Sequence, residues 1–235
     1  MAAFPSARIL GDATPAAVLR AWSGLGYNRR ALFLQRAARK IANEGWPKTV
    51  EDMCTLPGVG PYTAGAVLSF AFGQRTLAFD VNVQRVIRRA CIGVGPTKKR
   101  PETKTLLALA KKILPRDAST WQQALMDLGA TICVTRPRCL VCPLRTTCPS
   151  AKAFLSGWKE QSAKKQAVRF VDSARFVRGR ILKQLTANER RSDVQLRVVL
   201  GQLGISEERL AQALHALERE GLIVRKKRVY ALPAA

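Results

Sequence analysis

Acidic residues are scarce in this chain. Sixteen Asp and Glu stand against 40 Lys and Arg in 235 residues, a net charge of +24 with a pI near 10.9. A surface with that deficit attracts polyanions, and nucleic acid is the default partner. Any apolar run of bilayer-spanning length is also lacking, so no membrane is expected as a partner. The start, Met-Ala-Ala-Phe-Pro-Ser-Ala-Arg, lacks the apolar core of a signal peptide. No single tail accounts for the charge. Residues 1–148 carry 22 Lys/Arg against 8 Asp/Glu, and residues 149–235 carry 18 against 8, which implies two basic modules. What is present is ordinary for a globular protein: 47% hydrophobic residues and length enough for one or two domains. Of six cysteines, four lie within 16 residues, which points to metal in a reducing compartment rather than to disulfides.

Helical signals dominate the first half. Thr14-Pro15 reads as cap and first helical residue, with Val18, Leu19 and Trp22 sharing a face before Gly24 and Gly26 stop the helix. Arg29 to Asn43 is amphipathic and is expected to bury Leu32, Leu34, Ala38 and Ile41. Thr49 caps a short helix with Asp52 at its third position, in the manner of a capping box. Pro61 starts a helix whose run from Ala64 to Phe72 is apolar nearly all round, hence central. After Asp80 a helix buries Val83, Val86, Ile87 and Ala90 and leaves Arg85, Arg88 and Arg89 on other faces. Two more helices follow, near Glu102–Ile113 and Ser119–Leu128. No segment through Leu128 alternates as a strand does, so the first domain reads as all-α.

The chemistry concentrates in two places. Leu56-Pro57-Gly58-Val59-Gly60 is a turn able to present free backbone N–H groups to a phosphate at a helix start, because glycine allows close backbone approach. Twenty residues beyond Gly60, Asp80 opens the next helix, where the dipole favours an ionised carboxylate. Alone, Asp80 reads equally well as a simple cap. Cys133, Cys139, Cys142 and Cys148 form C-x5-C-x2-C-x5-C, able to ligate one cubane iron–sulfur cluster or one zinc. Cys54 and Cys91 fall on apolar helix faces and read as small core residues.

Leu-Pro-Gly-Val-Gly-Pro-Tyr-Thr-Ala-Gly with Asp80-Val-Asn-Val-Gln-Arg-Val resembles the helix-hairpin-helix and Gly/Pro-Asp element of the DNA glycosylase superfamily, and within it the MutY pattern. Val81 stands where that pattern usually has glycine. The cysteine run resembles the [4Fe–4S] loop of the endonuclease III and MutY glycosylases, with one residue fewer in its first interval, near Pro137. The resemblance covers residues 4–149. It implies a [4Fe–4S] cluster on the four cysteines and Asp80 as the carboxylate that stabilises an oxocarbenium-like transition state. Leu56 to Gly60 and Thr63 become DNA contacts, and Tyr27 a ring wedged into the base stack. Tyr62 lines the substrate pocket where the endonuclease III branch has a Schiff-base lysine, so the resemblance implies a monofunctional enzyme using water. The expected activity is release of adenine opposite 8-oxoguanine or guanine from double-stranded DNA, by a cytoplasmic, nucleoid-associated monomer. A thymine/uracil mismatch glycosylase and a non-catalytic iron–sulfur DNA-binding protein are the alternatives.

Two departures shape the remaining expectations. The family's Ser-Glu-[Ile/Val]-Met-Leu-Gln-Gln-Thr helix, whose glutamate protonates adenine, has no counterpart before Phe4, and the first glutamate is Glu44. A start placed too late is favoured over a deliberate fragment or a degenerate paralogue, and the chain as given is expected to expose apolar faces of helices that normally pack on the absent ones. Where MutY proteins usually continue into a Nudix-like domain, residues 169–235 instead show three helices (Ala174–Leu185, Val194–Leu203, Ser206–Glu220) and a basic hairpin, Leu222 to Leu232. That is winged-helix-like, an α+β module. Four glutamates against two arginines on the third helix argue against deep groove insertion, leaving two alternatives: a DNA-binding module with the turn Arg225–Arg228 as its contact, or a protein-docking module. The expected organisation is a core over 1–149 with its loop at 133–148, a linker over 150–168, and the module over 169–235.

Overall fold

Helix starts in this protein are set by short polar side chains. Thr14, Thr49, Asp80, Asp117, Ser173, Ser192 and Ser206 each accept a hydrogen bond from the backbone N–H three residues on. Each thereby satisfies one of the donors that a helix N-terminus leaves open. The structure, a computed structural model, describes residues 3–160 and 169–234. In chain order the elements are α1 (Ala7–Asp12), α2 (Pro15–Ala21), α3 (Arg29–Glu44), α4 (Val50–Met53), α5 (Pro61–Phe70), α6 (Val81–Ile87), α7 (Thr103–Ile113), α8 (Ala118–Thr131) and α9 (Ala151–Leu155). Then come α10 (Ala174–Ala187), β1 (Arg190–Ser192), α11 (Asp193–Gly201), α12 (Glu207–Arg219), β2 (Val224–Lys226) and β3 (Val229–Ala231). The result is a helical protein with one small sheet. Among the described residues no helix is long and apolar enough to cross a membrane.

The chain divides into two compact units, and the division differs from the expected one. The first comprises Met1–Trp46, Leu56–Gly58 and Lys165–Ala235. The second comprises Pro47–Thr55 and Val59–Lys164. In the first unit, Ala16, Val18, Leu19, Ala31 and Leu32 share one core with Val177, Ile181, Leu185, Leu214 and Leu217. The apolar faces of α2 and α3 are therefore covered by the helices of the C-terminal module. Sequence periodicity shows that a face is apolar and says nothing of what will cover it. Leu34, expected in that core, is exposed, and Gln35 is buried instead, its amide donating to the Ala13 carbonyl at 2.5 Å. The sheet has order β1-β3-β2, antiparallel throughout, with Arg191 and Arg225 both paired to Tyr230. β2 and β3 form the expected hairpin, and β1 is an added strand too short to alternate visibly.

The second unit holds α4 to α9. Val83 and Ile87 of α6 and Ala110 of α7 form its core cluster, with Phe79, Trp121, Leu125 and Met126 against them. The expected burial of Val83, Val86 and Ile87 is observed, but Arg88 and Arg89 are buried too, on a π-turn over Arg88–Ile92. Both guanidiniums point inward, where Glu160 and loop carbonyls accept their hydrogen bonds. Helix α5 buries Ala64, Gly65, Leu68 and Ser69 while Phe70 stays half-exposed, so one face of it is open. Cys91, expected in the core, is exposed, and Cys54 is half-buried. The expected linker contains α9 and, at Glu160, an ion pair described below; its residues 161–168 lie outside the described residues.

Candidate active site

Gly60 caps α5 without a side-chain hydrogen bond, and Pro61 follows as its first residue, so no side chain closes the first turn. Tyr62, half-exposed, and Thr63 stand on that turn. A helix of ten residues opening this way offers N–H groups to an anion. Gly58 has φ +77°, and a Cβ there would stand 2.7 Å from the Phe33 side chain, so glycine is required on both counts. Leu56 is buried, which makes its side chain an anchor of the turn and not a DNA contact. Pro57 and Val59 are half-buried.

The approach to Asp80 is fixed by a residue the sequence did not single out. Gln122 of α8 is fully buried, its Nε2 donating to Ser69 Oγ at 3.0 Å, the Thr76 carbonyl at 3.0 Å and the Ala118 carbonyl at 2.8 Å, while its Oε1 accepts from Ala78 N–H. Thr76 Oγ1 donates to the Gly65 carbonyl at 3.0 Å. The strand-like segment before Asp80 is thus stapled to both α5 and α8. Its only sequence signal is a glutamine interrupting an apolar helix stripe.

Asp80 is half-buried at the start of α6, with both oxygens engaged. Oδ1 accepts from Val83 N–H at 2.7 Å and Oδ2 from Asn82 Nδ2 at 3.1 Å. Asn82 is held in turn by Arg85 Nη2 at 2.8 Å, and Arg85 reaches the carbonyls of Gly129 at 2.6 Å and Cys133 at 2.7 Å. A relay of hydrogen bonds therefore runs from the first cysteine of the loop to the carboxylate. Two donors on the carboxylate and a third on its neighbour fix its orientation.

Cys133, Cys139, Cys142 and Cys148 line a single hollow of about 30 Å³, together with Arg89, Pro137 and Phe154. Arg89 Nη1 stands 3.6 Å from Cys133 Sγ and donates to the Val134 carbonyl at 2.6 Å. Its Nε is buried without a partner. Burial first, then the neighbouring thiols Cys148, Cys142 and Cys133, push the Cys139 thiol above its ordinary value, against the pull of Arg89. Among the described residues, no three His, Cys, Asp or Glu side chains stand close enough to hold a single metal ion.

Behind the loop, Glu160 joins Arg88 and Arg89, the latter at 2.9 Å. Burial raises the Glu160 pKa, but the hydrogen bonds and charges of Arg89 and Arg88 outweigh it, and the group titrates below its ordinary value of 4.5. A depressed carboxylate contributes stability that is complete above its unfolded value and is lost as pH falls through its folded value. Unfolding followed by near-ultraviolet circular dichroism should show stability falling below pH 4.5, and Glu160→Gln should flatten that dependence. A variant with the unchanged pH profile would remove the ion pair from the account.

Tyr27, in the first unit, is exposed and adopts φ +47°, unusual for a residue with a Cβ. Arg175 of α10 lies 5.2 Å from its ring centroid and donates to its hydroxyl.

Residues 46–70 match the helix-hairpin-helix motif model. Over 188 residues the chain is 39% identical to adenine DNA glycosylase of Mycolicibacterium smegmatis, covering 77% of this chain and 62% of that protein. The chain thus spans about three fifths of that relative's length. A thermostable thymine-DNA glycosylase structure superposes with TM-score 0.57 at 28% identity, over 64% of this chain and 72% of that one. The trapped endonuclease III–DNA covalent intermediate superposes with TM-score 0.51 at 25% identity, over 63% and 70% of the two chains. The hairpin motif, the fold and this sequence likeness together make the chain similar to the MutY type of helix-hairpin-helix glycosylases.

Proposed function

We propose that this chain carries the excision centre of a monofunctional adenine DNA glycosylase, acting as a cytoplasmic, nucleoid-associated monomer on duplex DNA with adenine opposite 8-oxoguanine or guanine. The observation that carries the reading is Asp80, a carboxylate fixed by two hydrogen bonds on a segment stapled to the hairpin helix. A base must leave the stack before its glycosidic bond can be broken, and the sugar then develops positive charge. A preoriented carboxylate stabilises that charge without reorganising as the bond breaks. The N–H groups opening α5 suit a backbone phosphate, and the charge of +24 supplies sequence-independent affinity for DNA.

Tyr62 decides the product. A phenol forms no Schiff base, so water is the nucleophile and the abasic strand stays intact until alkali or heat breaks it. Borohydride should trap no covalent complex, and Tyr62→Lys should create trapping. Native strand cleavage coupled to base release would move the protein into the lysine-dependent branch. The assay compares base release from A·8-oxoguanine, G·T and G·U duplexes. Preferred release from G·T or G·U would favour the thymine/uracil reading, which the likeness to a thymine-DNA glycosylase supports.

Cys133, Cys139, Cys142 and Cys148 would hold a [4Fe–4S] cluster, which when bound ties the loop together through four thiolate bonds. The donor set fits. Four cysteines line one hollow, and a guanidinium with an unpartnered Nε lies beside them. Arg85 and Arg89 hold the backbone at the first cysteine. Protein purified without oxygen should contain about four irons per chain and absorb broadly in the visible. Stoichiometric zinc without iron would sink the assignment.

A further inference from the structure

The first unit contains a cleft of about 1010 Å³ between the loop leading into α3 and the exposed face of α10. Three rings line it, each with a guanidinium over it: Arg29 on Phe33 at 4.9 Å, Arg175 on Tyr27 at 5.2 Å and Arg180 on Phe176 at 5.0 Å. Phe170 adds a fourth ring, edge-on to Phe176 at 5.7 Å. The one acidic lining residue, Glu220, is neutralised by Arg178 through two hydrogen bonds. Among the described residues, Arg30, Arg180 and Lys183 line the cleft with no ion-pair partner. The cleft therefore combines surplus cations with aromatic faces.

Gly179 supplies an independent observation. It sits inside the fourteen-residue α10, lines the cleft, and has nothing within 4 Å of where a Cβ would stand. Its φ is an ordinary helical one, so neither conformation nor crowding requires glycine. Alanine there would strengthen the helix. The missing side chain leaves the floor of the cleft open for an occupant.

We propose that this cleft binds an unpaired stretch of DNA strand, its phosphates on Arg30, Arg180 and Lys183 and its bases against the rings. Apart from the gap that a single wedged ring such as Tyr27 would fill, a duplex offers phosphates but hides its base faces, so Phe33, Phe170 and Phe176 would gain nothing from it. An unpaired strand offers both, and each stacked base adds affinity. The inference goes beyond the glycosylase reading, since it needs neither a lesion nor a scissile base.

Fluorescence anisotropy of a labelled short oligothymidylate tests it on the full chain. Gly179→Phe fills the floor without altering a charge and should weaken binding about tenfold, whereas Gly179→Ala, with the same helix geometry, should weaken it far less. Arg180→Gln with Lys183→Gln should lower the slope of log affinity against log salt by about 1.4. Circular dichroism of Gly179→Phe must match the parent; if it does not, the charge pair alone decides. Unchanged affinity and salt slope, an equal loss for a fully paired duplex, or equal displacement by polyglutamate would each overturn the proposal. Oligothymidylate contains no adenine, so failure here leaves the Asp80 reading standing, and failure of base release leaves this one standing.

Discussion

Asp80→Asn should lower base release by roughly a thousandfold or more while duplex affinity stays within about twofold, because the lost charge acts only on the transition state. The substitution is unusually clean in this setting. Asparagine is as good a helix cap as aspartate, and its carbonyl can keep the bond now made by Oδ1 to Val83 N–H. Its amide would then face Asn82 Nδ2, donor against donor, so the contact now at 3.1 Å is lost. That loss is local, and Arg85 still holds Asn82 from its other side. Single-turnover release from an A·8-oxoguanine duplex, beside equilibrium binding to the same duplex, separates the two terms. Wild-type rates would leave Asp80 as a cap and nothing more. A matched collapse of affinity would say that the carboxylate shapes the DNA surface instead of acting on the sugar.

Gly65→Ala should destabilise the second unit by about 3 kcal/mol, at the upper end of overpacking costs. A Cβ at this position would stand 2.1 Å from the Leu77 carbonyl oxygen and 2.7 Å from its carbon. Both are backbone atoms, so no side-chain rotation relieves the clash. The segment from Thr76 to Ala78 would have to move off α5, breaking the Thr76–Gly65 bond and straining the Gln122 staple. Calorimetry should show a melting temperature lower by roughly 10 °C. The shift should also misplace Asp80, two residues past Ala78, so release should fall even at temperatures where the variant is folded. Gly60→Ala is the contrasting case. Nothing lies within 4 Å of its Cβ position, so the fold should lose no more than about 1 kcal/mol, the cost of a poorer cap. Equal melting temperatures for the two variants would refute the close approach at Gly65.

Several features of this protein follow from local chemistry and were legible in the chain itself. Pro15 and Pro61 begin helices because proline tolerates the first helical position, and Thr49, Asp80 and Ser206 cap theirs because their oxygens reach back to the backbone. The hairpin turn, the helix carrying Val83, Val86 and Ile87, the β2–β3 hairpin and the clustering of four cysteines are likewise short-range patterns. Tertiary structure decided what such patterns cannot encode, namely which face meets which. The apolar stripes of α2 and α3 carry no label for their partner, and the C-terminal module covers them. Arg88 and Arg89 read as solvent-facing because charge is normally solvated. They are buried because Glu160 and the carbonyls of the cysteine loop satisfy them from more than 40 residues away in sequence. Gln122 reads as a blemish on an apolar stripe, and only the fold brings Ser69, Thr76 and Ala78 to its amide. Asp80 caps α6, as its position at a helix start suggested. The orientation of its carboxylate depends on Asn82 and on Arg85, whose own anchors at Gly129 and Cys133 are set by folding alone.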